Sequence, residues 1–210
     1  MYVPNAADNL ETLMAARHPP GVHSRMKAGY VGVAGVGGLG SHVAVMLARM
    51  GVGTLLLVDY DMVEPSNLNR QHYAVSHLST PKTLALKSQI ADINPYVRVM
   101  TRDIRLTAKN AADVFADCPI VVEALDDPAC KADLVAALLG HGGFKIVAAS
   151  GIAGYGDANL IKTLRRLSSL YICGDLETEP GPETGLTAPR VAICAGHQAN
   201  MVVRLLMGLE

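Results

Sequence analysis

Gly35-Val36-Gly37-Gly38-Leu39-Gly40 has the spacing G-x-G-x-x-G and stands between an apolar run and a stretch with helical periodicity. Glycines in that context let backbone N–H groups approach a phosphate or ribose, because no side chain intervenes. Asp59 follows about 20 residues on, at the end of the next apolar run, where a carboxylate can accept hydrogen bonds from both ribose hydroxyls. After it come Asp61, Asn67, Arg70 and Gln71, and then Lys82 at the head of a helical stretch. An amide, a guanidinium and an ammonium on one connection suit a triphosphate: Arg forks two oxygens and Lys acts as a point charge. Asp126 and Asp127 end another apolar run, and a carboxylate beside phosphates is a ligand for Mg²⁺. Asp also caps helices, so before Pro128 one aspartate can serve each role.

These residues need strands and helices to position them, and the apolar periodicity supplies both. Strands are expected over 29–34, 53–58, 97–101, 120–123, 144–149 and near 160–164, with helices over 41–50, 81–93, 107–115, 128–139 and 191–207. Such alternation predicts an α/β, Rossmann-like fold: a mostly parallel sheet with helices on both faces. The polar stretch 1–27, with Pro19, Pro20 and Gly21, reads as an N-terminal helical arm, and 28–210 as one domain. The long polar connection from Tyr60 to Ser79 is of the kind that carries function. The Gly/Pro/Glu-rich loop 174–185 is expected to be mobile.

Composition excludes other classes. Eighteen Lys and Arg against nineteen Asp and Glu give a net charge of -1, which offers no excess positive charge to nucleic acid or an anionic membrane. The most apolar stretch, 43–58, is broken by Arg49, Gly51 and Gly53 and falls short of the roughly 20 residues of a membrane span. No basic and apolar leader opens the chain, so a cytoplasmic location is expected. Cys118, Cys130, Cys173 and Cys194 lack C-x-x-C spacing, which predicts free thiols and neither zinc nor disulfides. The seven histidines show no spacing for a shared metal.

The motifs G-V-G-G-L-G, D-Y-D-x-V-x-x-S-N-L-N-R-Q, P-K, I-N-P and L-D-D, with the closing A-P-R-V-A-I-C-A-G-H-Q-A-N-M-V-V-R-L-L, resemble the ThiF/MoeB/HesA family, relatives of the ubiquitin-activating enzymes. The short chain without zinc resembles the second type of ThiF, the adenylyltransferases of the sulfur carrier ThiS. The resemblance implies that ATP adenylates the C-terminal Gly-Gly carboxylate of a small ubiquitin-like sulfur-carrier protein, ThiS-like or MoaD-like. It points to thiamine biosynthesis and a sulfur donor further on. Asp59 would then hold the ribose, the glycine loop the α-phosphate, and Asn67, Arg70 and Lys82 the phosphates with Gln71 nearby. Asp126 would hold Mg²⁺. The same likeness implies a homodimer in which Arg17 reaches the partner's ATP, and last strands that run antiparallel.

Two other readings remain open on the residues alone. A nicotinamide-dependent oxidoreductase would use the glycines and Asp59 but leave Arg70, Lys82 and Asp126 idle. A non-catalytic nucleotide-binding partner would keep the whole site and not turn over.

Overall fold

The computed structural model describes residues 10–210; the first nine residues of the expected arm lie outside them. In chain order the elements are α1 (Leu10–Ala15), α2 (Val22–Lys27), β1 (Tyr30–Ala34), α3 (Gly38–Arg49), β2 (Thr54–Asp59), α4 (Lys82–Ile93) and β3 (Arg98–Asp103). There follow α5 (Ala111–Val114), β4 (Ile120–Glu123), α6 (Pro128–His141), β5 (Lys145–Ala149), β6 (Lys162–Arg165), β7 (Leu170–Gly174) and α7 (Ala188–Leu206).

The buried runs alternate between two faces with the period of two that a strand imposes. On β1, β2 and β4, Val31, Val33, Leu55, Leu57, Ile120 and Val122 face one core, against α3 and α7. Leu56, Val58 and Val121 face a second core with Phe115, Leu134 and Leu138. Gly32 lies inside β1 because a Cβ there would stand 2.5 Å from the Phe115 ring. Both faces are covered, as the continuous apolar runs predict.

The seven strands lie in the order β3-β2-β1-β4-β5-β7-β6, all neighbours parallel except β6 with β7. The expected antiparallel end is thus a single pair, since β7 runs parallel to β5. The order reverses between β1 and β4, which opens a crevice beyond their carboxyl ends, the place where open α/β sheets bind ligands.

Three local differences from the periodicity have local causes. The helix expected over 107–115 forms only at Ala111–Val114, because the Asn110 side chain accepts from Thr107 N–H (2.8 Å) and donates to the Arg105 carbonyl (3.0 Å). α2, at the end of the expected arm, buries Met26 completely in the larger core. The loop expected to be mobile is tied at both ends: Asp175 N–H donates to the Gly151 carbonyl (3.0 Å) and Gly154 N–H to the Gly185 carbonyl (3.0 Å). Among the described residues no helix is long and apolar enough to cross a membrane.

Candidate functional site

The glycine turn leaves β1 at the switch point and divides into two kinds of glycine. Gly35 takes φ +84°, and its N–H donates to the Val58 carbonyl (2.8 Å), tying the turn to β2. A Cβ on Gly40 would stand 1.9 Å from the Gly35 carbonyl oxygen, so this glycine lets α3 close against the turn. Gly37 and Gly38 meet no backbone: their nearest neighbours would be Gln71 Nε2 at 3.7 Å and Val191 at 3.4 Å, with Arg70 at 3.9 Å from Gly38. Two glycines therefore build the turn, and two keep its surface bare beside Arg70 and Gln71. Leu39, between them, faces the core.

Asp59, at the end of β2, accepts from Val36 N–H at Oδ2 (2.8 Å) and Asp61 N–H at Oδ1 (2.9 Å). Each oxygen keeps a lone pair for a ribose hydroxyl. Burial pushes the Asp59 carboxyl above its ordinary value, opposed by those two N–H donors and the nearby Lys82 charge.

The connection 60–81 is long, yet it is closed on itself. Val63 N–H donates to the Thr80 carbonyl and Ser79 N–H to the Val63 carbonyl, each at 2.9 Å. Asn67 is buried and its Oδ1 accepts from Glu64 N–H (3.0 Å), so its oxygen is already committed to the turn. Arg70 Nη1 donates to the Ser66 carbonyl (3.1 Å) and Asn69 Oδ1 (2.9 Å), and no carboxylate of the described residues pairs with it. Gln71 is buried and its Oε1 has no partner. Lys82, 7% exposed at its side chain, is held by Asp61 Oδ2 at 2.7 Å. That ion pair fixes the ammonium at the start of α4.

Across the crevice the two aspartates separate. Asp127 is the N-cap of α6 and accepts from Cys130 N–H (2.7 Å), which holds its carboxyl below the ordinary value. Asp126 is exposed, with no hydrogen bond or ion pair to any described residue. It follows Ala124 and Leu125, which touch the position a Gly35 Cβ would fill, so the chain reaches Asp126 directly after passing the glycine turn. One free carboxylate just past a bare turn fits Mg²⁺, which is held by one or two carboxylates together with substrate phosphates. No cluster of three or more His, Cys, Asp or Glu gathers among the described residues.

Arg17 is not brought to this group. It is exposed, and its neighbours Ala15 and His18 line a crevice with Arg49, Met50 and Gly51, at the far end of α3 from the glycine turn. Cys173 and Cys194 are buried with their thiols pushed up by desolvation, Cys173 to about 11, so both are poor nucleophiles.

Sequence reasoning missed several supports. The Tyr73 hydroxyl donates to the Val36 carbonyl (2.7 Å) and lies 3.3 Å from the Lys82 carbonyl, linking the glycine turn to α4. Ser41 Oγ accepts from His72 N–H (3.0 Å). Lys131 Nζ holds the buried Glu123 carboxylate at 2.8 Å and the Leu125 carbonyl at 2.9 Å. A buried tyrosine or serine carries no spacing signal; Lys131, one turn into the helix after L-D-D, stands where the resemblance to the family implies a basic residue, and what the sequence does not give is its pairing with Glu123.

Known proteins similar to this chain are found by sequence and by structure. The adenylyltransferase and sulfurtransferase UBA4 of Candida glabrata is 31% identical over 193 residues, 88% of this chain and 44% of that protein. The probable adenylyltransferase/sulfurtransferase MoeZ of Mycobacterium tuberculosis is 37% identical over 108 residues, 51% of this chain and 28% of that protein. The chain thus spans less than half the length of these curated relatives. The E. coli tRNA N6-threonylcarbamoyladenosine dehydratase TcdA, solved in complex with ATP, superposes with a TM-score of 0.84 at 22% identity and 93% coverage of both chains, which establishes the fold. The profile of the ThiF family matches residues 11–210, and the chain belongs to that family.

Proposed function

We propose that this chain uses ATP to adenylate the C-terminal Gly-Gly carboxylate of a ubiquitin-like sulfur-carrier protein. The observation that carries the reading is the grouping at the β1/β4 switch point: a bare glycine turn fastened to Asp59, with Arg70 and Gln71 against it and an unpartnered Asp126 just past the end of the neighbouring β4. A nicotinamide site would have no use for Arg70 or for Lys82 held in place by Asp61. Family membership and the adenylyltransferase names of UBA4 and MoeZ support the same chemistry.

In this reading Asp59 receives the ribose hydroxyls, and Gly37 and Gly38 admit the α-phosphate to the turn's N–H groups. The terminal glycine carboxylate is already ionised, so the chain supplies position and charge rather than a base. A carboxylate oxygen bonds to the α-phosphorus, the bond to the bridging oxygen breaks, and pyrophosphate leaves. Arg70 and Lys82 offset the charge that builds on the leaving phosphates; Lys82 exchanges Asp61 for them. Asp126 would hold Mg²⁺, which would supply further neutralisation of the phosphates. The carrier tail threads under Gly174–Gly185, which Arg190 and Asp175 anchor. The proposal extends to thiamine biosynthesis, a cytoplasmic setting, and a homodimer in which Arg17 crosses to the partner's nucleotide.

ATP–pyrophosphate exchange with Mg²⁺ tests the core of it. Exchange is expected with carriers ending in Gly-Gly and not with versions lacking the last glycine, and Arg70→Ala should reduce it about 100-fold or more. Exchange indifferent to the tail, or nicotinamide binding without ATP binding, would overturn the reading.

A further inference from the structure

At the β6 edge of the sheet, on the α7 side of β6 and β7, lies a cavity of about 220 Å³. Thr163, Arg165, Tyr171, Asn200, Arg204 and Glu210 line it. Tyr171 is 1% exposed, yet its hydroxyl has no hydrogen-bond partner. The Arg165 guanidinium lies 5.8 Å from the Tyr171 ring centre, and it spends Nε and Nη2 on the Leu167 and Ser168 carbonyls, each at 3.3 Å. Arg165 is exposed, its Nη1 has no partner among the described residues, and no carboxylate of those residues pairs with it. Arg204 Nη2 holds Glu210 Oε1 at 2.7 Å.

A buried phenol needs an acceptor, and guanidinium groups only donate. One acceptor that carries negative charge would satisfy the phenol and give the exposed, unpaired Arg165 guanidinium a charge partner. Glu210 shows that the cavity receives a carboxylate, but it engages Arg204 and leaves Arg165 and Tyr171 unspent. At ~30 Å³ per water the space matches about seven waters, room for a small dicarboxylate. We propose that this cavity is a carboxylate-binding site built on Arg165, Tyr171 and Arg204, in which Glu210 is the resident competitor. The carboxylate comes either from a small acid or from an acidic side chain of a bound protein. This site is independent of the nucleotide reading.

The full chain carrying 3-fluorotyrosine provides the test by ¹⁹F NMR, with the Tyr171 resonance assigned through Tyr171→Phe. Titration with succinate should move that resonance saturably, and neutral succinamide should not. Arg165→Gln should weaken binding about tenfold, the loss of one charge-assisted hydrogen bond, whereas Glu210→Gln should tighten it. Hexaglutamate saturating where succinate does not would assign the carboxylate to a protein side chain. No shift with either acid, an equal shift with succinamide, or weaker binding in Glu210→Gln would overturn the proposal.

Discussion

Arg190→Met should unfasten the segment that precedes α7, at a cost that the structure sets. Arg190 and Asp175 form an ion pair with side chains 3% and 5% exposed. Arg190 Nη1 also donates to the Gly156 carbonyl (2.8 Å) and lies 3.1 Å from the Asp157 carbonyl. Removing one partner of a buried pair costs about 3–5 kcal/mol, because a charge is left without compensation. Asp175 would keep the Glu177 and Thr178 N–H groups and the Thr178 hydroxyl, so the lower end, about 3 kcal/mol, is expected. For a chain of this size that lowers Tm by about 6–12 °C. Burial alone would raise the Asp175 carboxyl, but those N–H and hydroxyl donors and Arg190 outweigh it and hold it below its ordinary 3.8. A depressed carboxyl contributes stability above the unfolded value and loses it as pH falls through the folded one. The gap between wild type and variant should therefore be full at neutral pH and close below 3.8. Urea unfolding, with melts down a pH series and limited proteolysis of residues 175–187, measures all of this. A deficit under about 1 kcal/mol, the value of an exposed pair, or a gap that widens in acid would refute the reasoning.

The two aspartates after β4 should dissociate stability from chemistry. Asp127→Ala removes the cap on Cys130 N–H and should lower Tm while pyrophosphate exchange per folded molecule stays near wild type; Asp126→Ala should leave Tm alone and cut exchange about 100-fold. If both substitutions act on the same observable, the division of roles is wrong. The glycines should split in the same way. Gly40→Ala puts a methyl 1.9 Å from the Gly35 carbonyl and should abolish cooperative melting. Gly37→Ala, with 3.7 Å of clearance, should melt like wild type yet bind nucleotide weakly; a Gly40→Ala protein with wild-type Tm would sink the packing argument.

The elements that hold the site were legible wherever burial is continuous. β2 ends at Asp59 and β4 at Glu123 because runs of Val, Ile and Leu buried on both faces must be central strands of a parallel sheet. Less legible was β7, a five-residue strand that a β6 pairing supports and periodicity alone does not announce. At the site, residue types were readable but their division of labour was not. L-D-D named two carboxylates, and only the Cys130 N–H decided which one caps α6. Asn67 reads as a phosphate ligand by its neighbours, but that its oxygen also holds Glu64 N–H and the turn together, with Nδ2 left only a 3.5 Å contact to Ser66 Oγ, was not readable. Tyr73 and Ser41 act through backbone groups far away in the chain, a relation no local spacing encodes.

α7 follows every other element in the chain, yet α3 rests on it: Val191, Cys194, Ala195, Ala199 and Val202 belong to the same core as Val43, Ala44 and Leu47. Val191 also comes within 3.4 Å of where a Cβ on Gly38 would sit, in the glycine turn itself. On the ribosome, then, β2, which ends at Asp59, and β4, which leads to Asp126, emerge long before the helix that backs them. Through that interval the apolar flank of α3 has no cover, and a nascent chain in this state is prone to aggregate or to need a chaperone. Pausing translation before Ala188 would thus leave a chain that already contains every proposed nucleotide ligand but not the support that holds them in register.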